Sequence, residues 1–327
     1  MLSSAWSRHV LLRPTSVLGA GLRGLGLAAC GSNNGGTDAG PIGTDSPIGD
    51  LPALTVGTPT NPTAAPAVMG CLGTASAPAG GDPVDFEFQL RGFGSGDEVR
   101  MARVWFFPDN VVRETCDGDC QEFETDSMGN GMVTAPANGW YAYRVFERRG
   151  ATMSATFVDS AQINESAPAS AGGSVEGNAV SVSTLNLIPA AYGFMRVPTT
   201  AIIAGEVQDC EGDAVRGAVV RLFRADGTEI FNGAEASDPH IAYFDGMENP
   251  DNSSLFTQVD GLYATANISA PATGFETIRV EGWGVPAEGG EVQRLGCEAV
   301  GIYENGVSIV NIGPLRNDYP AGHPCAE

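Results

Sequence analysis

The feature that most constrains the fold is a regular alternation of apolar and polar residues after position 83. Apolar side chains occupy every second position, at Val84, Phe86, Phe88 and Leu90. This period of two predicts a half-buried β-strand with those four side chains on its inner face. Clusters of Gly, Pro, Asn and Asp separate it from further predicted strands at residues 103–107, 139–146, 151–158, 179–187, 202–207, 218–223, 261–268, 276–280 and 306–312. Helical periodicity is hard to find, so the predicted fold class is all-β.

Three pairs of similar segments follow one another in the same order. The pairs are 99–107 with 215–223, 139–142 with 261–264, and 185–189 with 310–314. Their offsets grow from 116 to 125, as loop insertions in a second copy would produce. Chance similarity among Val-rich strands is the alternative. The sequence therefore predicts two tandem modules, at residues 71–195 and 196–327.

The second module resembles a known family. The run Ala204–Val220 is similar to the carboxypeptidase regulatory-like, or transthyretin-like, domain, whose strands read G-x-V-x-D-x-x-G-x-x-V-x-G-A-x-V, and Asp260–Tyr263 is similar to its D-G-x-Y turn. The resemblance implies two tandem Greek-key antiparallel β-sandwich domains of seven or eight strands each. Gly212 would serve a tight turn, and Gly217 would leave room where strands cross. The first module resembles the family less closely, since Met101 occupies the position that corresponds to Gly217 in the second module.

The N-terminus has the pattern of a lipoprotein signal peptide over residues 1–29. Arginines precede an apolar and small-residue run that ends in Leu-Ala-Ala before Cys30, which predicts cleavage there and a lipid on the thiol. Arg23 interrupts the apolar run, and the alternative is that Cys30 is an ordinary cysteine. Because Gly31 is not the aspartate that often retains lipoproteins at the inner membrane, we expect the outer membrane of a Gram-negative bacterium.

Residues 30–70 are rich in Gly, Pro, Thr, Ala, Asn and Asp and hold scarcely any aromatic residue. Such a composition buries too little apolar surface to fold, so a disordered tether is predicted. No stretch approaches the roughly 18 apolar residues that a membrane-spanning helix needs. Membrane attachment is therefore expected only through the lipid on Cys30.

The charge balance excludes several functions. The chain has 39 acidic residues and 17 basic ones, all arginine, for a formal net charge of −22. Without lysine there is no Schiff base, no P-loop lysine and no lysine–asparagine isopeptide bond. Nucleic acid is not expected as a partner, since the acidic surface repels a polyanion.

The cysteines besides Cys30 are even in number, which fits disulfides in an oxidising compartment. We predict that Cys116 pairs with Cys120 around an acidic loop and that Cys210 pairs with Cys297. Cys71 with Cys325 follows only by elimination. A zinc site is disfavoured by the spacing.

Catalytic chemistry has few candidates. Beyond the predicted signal peptide only His240 and His323 are histidines, and no G-x-S-x-G elbow accompanies them. The transthyretin-like enzymes need more histidines than this chain provides. We expect His240 to be a loop residue before a strand, although a triad that uses it stays open.

Two acidic loops are candidate calcium sites, although neither has EF-hand spacing. The candidate ligands are Asp117, Asp119, Glu122, Asp245 and Asp251. Solvated acidic turns are the alternative. Trp283, expected at a loop tip, is a candidate for stacking on a glycan. No other cofactor is expected.

The sequence thus predicts a non-enzymatic, lipid-anchored surface protein that acts as a binding, adhesion or spacer module with an unidentified protein or glycan ligand. The alternatives are an accessory or cryptic hydrolase, a glycan- or calcium-binding envelope protein, and an envelope assembly subunit.

Overall fold

The computed structural model describes residues 51–57, 65–93, 95–146, 157–247, 249–251 and 253–326. The predicted signal peptide and Cys30 lie outside the described residues. In the described part of the chain, no helix combines the length and the apolar character that a membrane span requires.

The chain is nearly all β, as predicted. After the short strand β1 (Thr55–Val56), seven strands form the first sandwich. They are β2 (Pro83–Gly92), β3 (Arg103–Phe107), β4 (Gln121–Glu124), β5 (Asn130–Pro136), β6 (Trp140–Phe146), β7 (Ser160–Ser166) and β8 (Ser174–Ala179). The sheet β5-β2-β8 faces the strands β4-β3-β6-β7.

The helix α1 (Val182–Ala191) leads to the second sandwich. Its strands are β9 (Thr200–Glu206), β10 (Val215–Arg216), β11 (Val219–Arg224), β12 (Glu229–Ile230), β13 (His240–Phe244), β14 (Pro250–Asp251), β15 (Leu262–Ala266), β16 (Ile268–Ser269), β17 (Glu276–Gly284), β18 (Gln293–Ile302) and β19 (Val307–Ile309). The sheet β12-β11-β17-β18 faces the strands β14-β13-β15-β9-β19.

The alternation after position 83 is confirmed in β2. Phe86, Phe88 and Leu90 have no exposed surface and pack in the core of the first sandwich with Phe106 and Tyr143. Burying three such side chains contributes roughly 5–9 kcal/mol before the entropy of ordering is counted. The period of two thus predicts both the strand and its inner face.

The same strand pairing occurs twice. β2 pairs antiparallel with β5 and parallel with β8, as β9 does with β15 and β19. The order β4-β3-β6-β7 corresponds to β12-β11-β17-β18. Only the first of the three sequence pairs lies in equivalent strands, β3 and β11.

The other two segment pairs were wrong. Residues 139–142 begin β6, which pairs with β3 and β7, whereas residues 261–264 begin β15, which pairs with β9 and β13. Residues 185–189 are helical and residues 310–314 are not. Short segments that contain Val or Gly recur in strands with different pairing partners. Sequence similarity alone therefore did not identify the structurally equivalent strands.

The two sandwiches share one continuous sheet. β19 lies between β9 of the second sandwich and β7 of the first, and it pairs in parallel with both. Val307 lies opposite Ile202 on one side and Ser160 on the other. The predicted purely antiparallel pairing is therefore wrong at these positions, because β19 joins its neighbours in parallel.

A strand predicted over residues 179–187 is helical instead. β8 ends at Ala179, and α1 begins after Ser181, whose Oγ accepts a hydrogen bond from the amide of Thr184 at 3.0 Å. This N-cap satisfies an amide that the first helical turn leaves unpaired. Ser181, a residue that favours an N-cap, was visible in the sequence. The helix, however, buries only Leu185 and Pro189, which are too few to give a periodic apolar pattern.

Part of the predicted tether is ordered. Residues 51–57 and 65–77, here called the strap, pack on the second sandwich: β1 pairs with β10, and Leu54 is 2% exposed. The tether prediction is therefore wrong for residues 51–57 and 65–70. The composition of this segment did not indicate that it would pack on the fold, because the surface that covers Leu54 is contributed by strands more than 150 residues later.

Candidate functional site

The strap is fixed to the second sandwich by a turn and a disulfide. The buried carboxylate of Asp209 accepts hydrogen bonds from the amides of Val68 at 2.8 Å, Glu211 at 2.9 Å and Asp213 at 3.0 Å. Next to it, Cys71 and Cys210 form a disulfide. Asp209 thus joins two segments that are far apart in sequence, a role that spacing alone did not indicate.

Three disulfides are present in the described chain, and their pairing corrects two predictions. Cys116 pairs with Cys120, as predicted. Cys71 pairs with Cys210 and Cys297 with Cys325, so the predicted pairs Cys210–Cys297 and Cys71–Cys325 are wrong.

The correction has a geometric reason. Cys297 lies opposite Glu281 on the outer face of β17 and β18, whereas Cys210 lies in the turn after β9, in the opposing sheet. The C-terminal residues 313–326, here called the tail, cover that outer face, and Arg279 donates to the carbonyl of Pro324 at 3.2 Å. Both the strap and the tail therefore attach to the second sandwich.

Arg144 occupies the junction between the sandwiches. It donates from Nε and Nη2 to the carboxylate of Asp159 at 2.9 and 2.6 Å. Its guanidinium lies 4.9 Å from the ring centre of Phe275 and 4.5 Å from that of Tyr303, both in the second sandwich. The bidentate ion pair within the first sandwich fixes the guanidinium, and its cation–π contacts with Phe275 and Tyr303 connect the two units.

The segment just before the Cys116–Cys120 disulfide also contacts the second sandwich. The carboxylate of Glu114 accepts a hydrogen bond from the amide of Phe275 at 3.0 Å, and Cys120 packs against a core cluster to which both sandwiches contribute. The short disulfide therefore lies next to a contact between the sandwiches.

Two carboxyl groups near the shared sheet have raised pKa values. Glu298, 5% exposed on β18, has its pKa raised to about 7 by burial, against the opposing effects of Arg316 and a hydrogen bond with Asn164 on β7. Burial likewise raises the pKa of Glu165 on β7 to about 7, opposed by Gln162. Desolvation disfavours the charged carboxylate in both places.

The candidate calcium ligands do not converge in the described part of the chain. No group of three or more His, Cys, Asp or Glu side chains there is arranged to hold a metal ion. Asp117 accepts a hydrogen bond from Thr115, and Glu122 forms an ion pair with Arg103 at 2.6 Å, while Asp119 is exposed.

In the second loop, Asp245 accepts the amides of Met247 and Asn249 at 2.8 and 3.0 Å. Asp251 accepts the hydroxyls of Ser253 and Ser254, each at 2.6 Å. These bonds are those of ordinary turns, with the carboxylates directed at their own loop.

Trp283 lies in β17 and not at a loop tip, so that prediction was wrong. The strand continues through a bulge between Gly282 and Trp283. The indole Nε1 donates to Glu281 at 2.8 Å, and the guanidinium of Arg221 lies 5.3 Å from the ring centre. One face of the indole is thus occupied by a cation.

His240 is the first residue of β13 and is 7% exposed, not the predicted loop residue. Its Nε2 is 2.9 Å from the carbonyl oxygen of Glu235, and its ring stacks on Phe194 at 3.7 Å. Burial lowers its pKa. A ring held by a backbone carbonyl and an aromatic face has a packing role.

The fold and these contacts define a pair of disulfide-stabilised β-sandwiches joined by a shared sheet. No family model matches the chain, and no curated protein matches it. Among solved structures, the chain is similar to shaft pilin SpaA from Lactobacillus rhamnosus GG, at 12% identity over 71% of this chain and 97% of that one, with a TM-score of 0.22.

A streptococcal ancillary pilin is similar at 13% identity over 71% of this chain and 62% of that one, with a TM-score of 0.21. The major pilin subunit BcpA of Bacillus cereus is similar at 9% identity over 68% and 69%, with a TM-score of 0.20. At these TM-scores we draw no functional conclusion from the likeness.

Proposed function

We propose that this protein is a non-enzymatic structural or adhesion module of the cell surface, in which two sandwiches act as one stiff spacer. The observation that carries the proposal is the shared sheet, in which β19 pairs with both β9 and β7. Main-chain ladders on both edges of one strand resist bending far more than a flexible linker does. The modules are proposed to be residues 71–195 and 196–327, with the strap residues 71–77 attached to the second.

The position of the strap supports a defined orientation. The strap is joined to the second sandwich by Cys71–Cys210, and the tail by Cys297–Cys325. Attachment at the N-terminus, which the Cys30 motif favours, would therefore hold the second sandwich and present the first to a partner. The outer-membrane location is part of this proposal.

The coupling between the sandwiches, on which the proposed stiffness depends, is tested by scanning calorimetry of the purified protein. If the shared sheet couples the sandwiches, both unfold in one transition whose calorimetric and van't Hoff enthalpies agree. Two transitions that stay separate at all scan rates would contradict the proposal. Substituting Ile309→Pro removes a ladder amide in β19 and should split the single transition into two.

Anchoring and orientation are tested in cells. Mass spectrometry of the mature N-terminus should find a diacylglyceryl group on Cys30, and Cys30→Ser should release the protein into the soluble fraction. Antibodies against the first sandwich should bind intact cells more than antibodies against the second. An unmodified N-terminus or equal binding would contradict the anchored orientation.

The hydrolase alternative is tested separately. A panel of glycosidase, esterase and peptidase substrates should give no turnover that His240→Ala abolishes. Turnover by the unmodified protein that is lost in that variant would contradict the structural proposal and support the hydrolase alternative.

A further inference from the structure

We propose that the peptide bond between Asp238 and Pro239 is a self-cleavage site, at which the side-chain carboxylate of Asp238 breaks its own main-chain bond. The sequence contains only one other Asp–Pro bond, between Asp82 and Pro83. This inference goes beyond the structural role proposed above, because it concerns a covalent change within the second sandwich.

The chemistry of an Asp–Pro bond permits this reaction. An oxygen of the carboxylate attacks the main-chain carbonyl carbon of Asp238, and the bond from that carbon to the nitrogen of Pro239 breaks. The nitrogen takes a proton from solvent and leaves as a secondary amine, which becomes a new N-terminus. Asp238 is left as a cyclic anhydride, and water opens it to a side-chain carboxyl and a C-terminal carboxyl.

Proline favours this route for two reasons. Its nitrogen carries no hydrogen, so it cannot attack the side-chain carboxyl to form the succinimide that other residues after Asp can form. As a tertiary amide, the same nitrogen is more basic than that of other peptide bonds and leaves more readily once protonated. Both Asp–Pro bonds of this chain share these properties, so a difference between them must come from the fold.

The structure fixes the carboxylate of Asp238. The amide of Glu235 donates to its Oδ2 at 3.0 Å, and the amide of Asp238 donates to the carbonyl of Glu235 at 2.9 Å. The side chain lies directly against Gly233, where an added Cβ would stand 2.1 Å from the Cβ of Asp238. A carboxylate held in one position loses less entropy on reaching the attacking geometry than a freely rotating one does.

The carbonyl group under attack accepts a hydrogen bond from a buried side-chain amide. The Nδ2 of Asn267 lies 3.2 Å from the carbonyl oxygen of Asp238, and Asn267 is 3% exposed. Its Oδ1 accepts the amide of Val197 at 2.8 Å, and Nδ2 also donates to the carbonyls of Met195 and Ala236, at 2.9 and 3.2 Å. A donor fixed before the reaction stabilises the negative charge that develops on the carbonyl oxygen.

The bond between Asp82 and Pro83 provides a comparison within the same chain. The carbonyl of Asp82 also accepts a hydrogen bond, from the amide of Ala137 at 3.2 Å. Asp82 is exposed, however, and no described residue donates a hydrogen bond to its carboxylate, whereas Asp238 is half-buried. The fixed carboxylate therefore distinguishes the two bonds, and we expect cleavage only after Asp238.

The cleaved protein should keep its fold. The cut falls just before β13, and strands on either side of it pair with each other, as β9 does with β15 and β11 with β17. Each of the three disulfides of the described chain lies wholly on one side of the cut. The fragments should therefore stay associated under native conditions and separate when the protein is unfolded.

Self-cleavage is tested by incubating the purified full chain at mildly acidic pH and following it by denaturing gel electrophoresis and mass spectrometry. We expect one fragment that ends at Asp238 and one that begins Pro239-His240-Ile241, formed at a first-order rate independent of protein concentration. Hydroxylamine should leave a hydroxamate on Asp238, because it opens the anhydride in place of water. No cleavage at this bond, or a rate constant that rises with protein concentration as a contaminating protease would give, would overturn the proposal.

Variants test the role of each group. Asp238→Asn replaces the attacking carboxylate with an amide of the same shape, and Pro239→Ala makes the leaving group a secondary amide, so each should slow cleavage at least about tenfold. Gly233→Ala displaces the carboxylate and should slow cleavage too, whereas Gly70→Ala, where an added Cβ meets open space, should not. Unchanged rates in the first three variants, with circular dichroism retained, would overturn the mechanism.

The comparison bond separates cleavage promoted by the fold from the general lability of Asp–Pro bonds. In the folded protein, cleavage after Asp238 should be at least about tenfold faster than cleavage after Asp82, and in guanidinium at the same pH the two rates should become similar. Equal rates at both bonds in the folded protein, or the same preference after unfolding, would show that the fold does not promote the reaction.

Discussion

Thr125 and Thr257 make the same pair of buried hydrogen bonds in the two sandwiches. The hydroxyl of Thr125 donates to the carbonyl of Val99 at 2.7 Å and accepts from the amide of Ala102 at 2.9 Å. Thr257 makes the corresponding bonds, at 2.6 and 3.0 Å, to the residues 116 positions after those two. Each threonine thus closes the turn before one of the equivalent strands β3 and β11, and side-chain detail agrees with the repeated topology.

Replacing either threonine should destabilise the protein strongly. Thr257→Val keeps the volume but leaves the carbonyl of Val215 and the amide of Ala218 without the hydroxyl, at about 1–3 kcal/mol for each buried group. Thr125→Val should cost about as much. Urea unfolding measures the loss, and Thr277→Val, on an exposed strand position, should change the free energy of unfolding by less than about 0.5 kcal/mol. Equal effects at all three positions would contradict the repeated role.

Met101 takes over the backbone conformation of Gly217. Its φ is +58° and that of Gly217 is +95°, and the amide of each donates to the carbonyl of the nearby threonine, at 3.0 and 2.9 Å. A side chain at positive φ costs roughly 1–2 kcal/mol. Met101→Gly should therefore raise the free energy of unfolding by up to about 1 kcal/mol.

The matched control is Met132→Gly, in the exposed middle of β5, where glycine should destabilise. Thermal unfolding of both variants gives the comparison. A lower melting temperature for both would show that Met101 is not strained.

Local patterns predicted what local physics determines. The alternation around Phe86 gave the right strand because one buried face and a period of two are properties of the segment itself. Gly212, at φ +82°, serves the tight turn that the family resemblance implied. The sequence also predicted the Cys116–Cys120 disulfide, because two cysteines only four residues apart lie close together whatever the rest of the fold is.

Long-range contacts were not predictable in this way. Leu54 lies in a segment of disorder-like composition, yet its side chain packs in the core of the second sandwich and its amide donates to the carbonyl of Val285 at 2.9 Å. The partners of Cys210 and Cys297 depend on the strap and the tail returning to one sandwich. Helix α1 was not predicted, because its residues were expected to form a strand.

The three disulfides should differ in their contribution to stability. The loops that they close span 139, 28 and 4 residues for Cys71–Cys210, Cys297–Cys325 and Cys116–Cys120. Chain-entropy arguments then give about 5, about 3.6 and about 2 kcal/mol. Paired Cys→Ser variants, compared by guanidinium unfolding under oxidising conditions, should follow that order. A Cys116→Ser/Cys120→Ser variant less stable than Cys71→Ser/Cys210→Ser would contradict it.

Glu298 should make the protein less stable as the pH rises from 4.5 to about 7. Burial raises its pKa from 4.5 to about 7 in the folded state, so the folded protein holds the proton more tightly than the unfolded chain does. Between pH 4.5 and about 7 the unfolded chain ionises first, and the free energy of unfolding falls by up to about 3 kcal/mol before levelling off. The stabilisation is complete below pH 4.5.

The variant Glu298→Gln should remove this dependence, because an amide keeps the side-chain shape and carries no charge at any pH. We expect its melting temperature to exceed that of the unmodified protein at pH 8 and to match it near pH 4.5. The remaining slope would come from Glu165, whose pKa is also raised to about 7. Glu176→Gln, on the exposed side of β8, should leave the slope unchanged. If Glu298→Gln unfolds with the unmodified pH profile, the buried carboxyl is not the group that titrates.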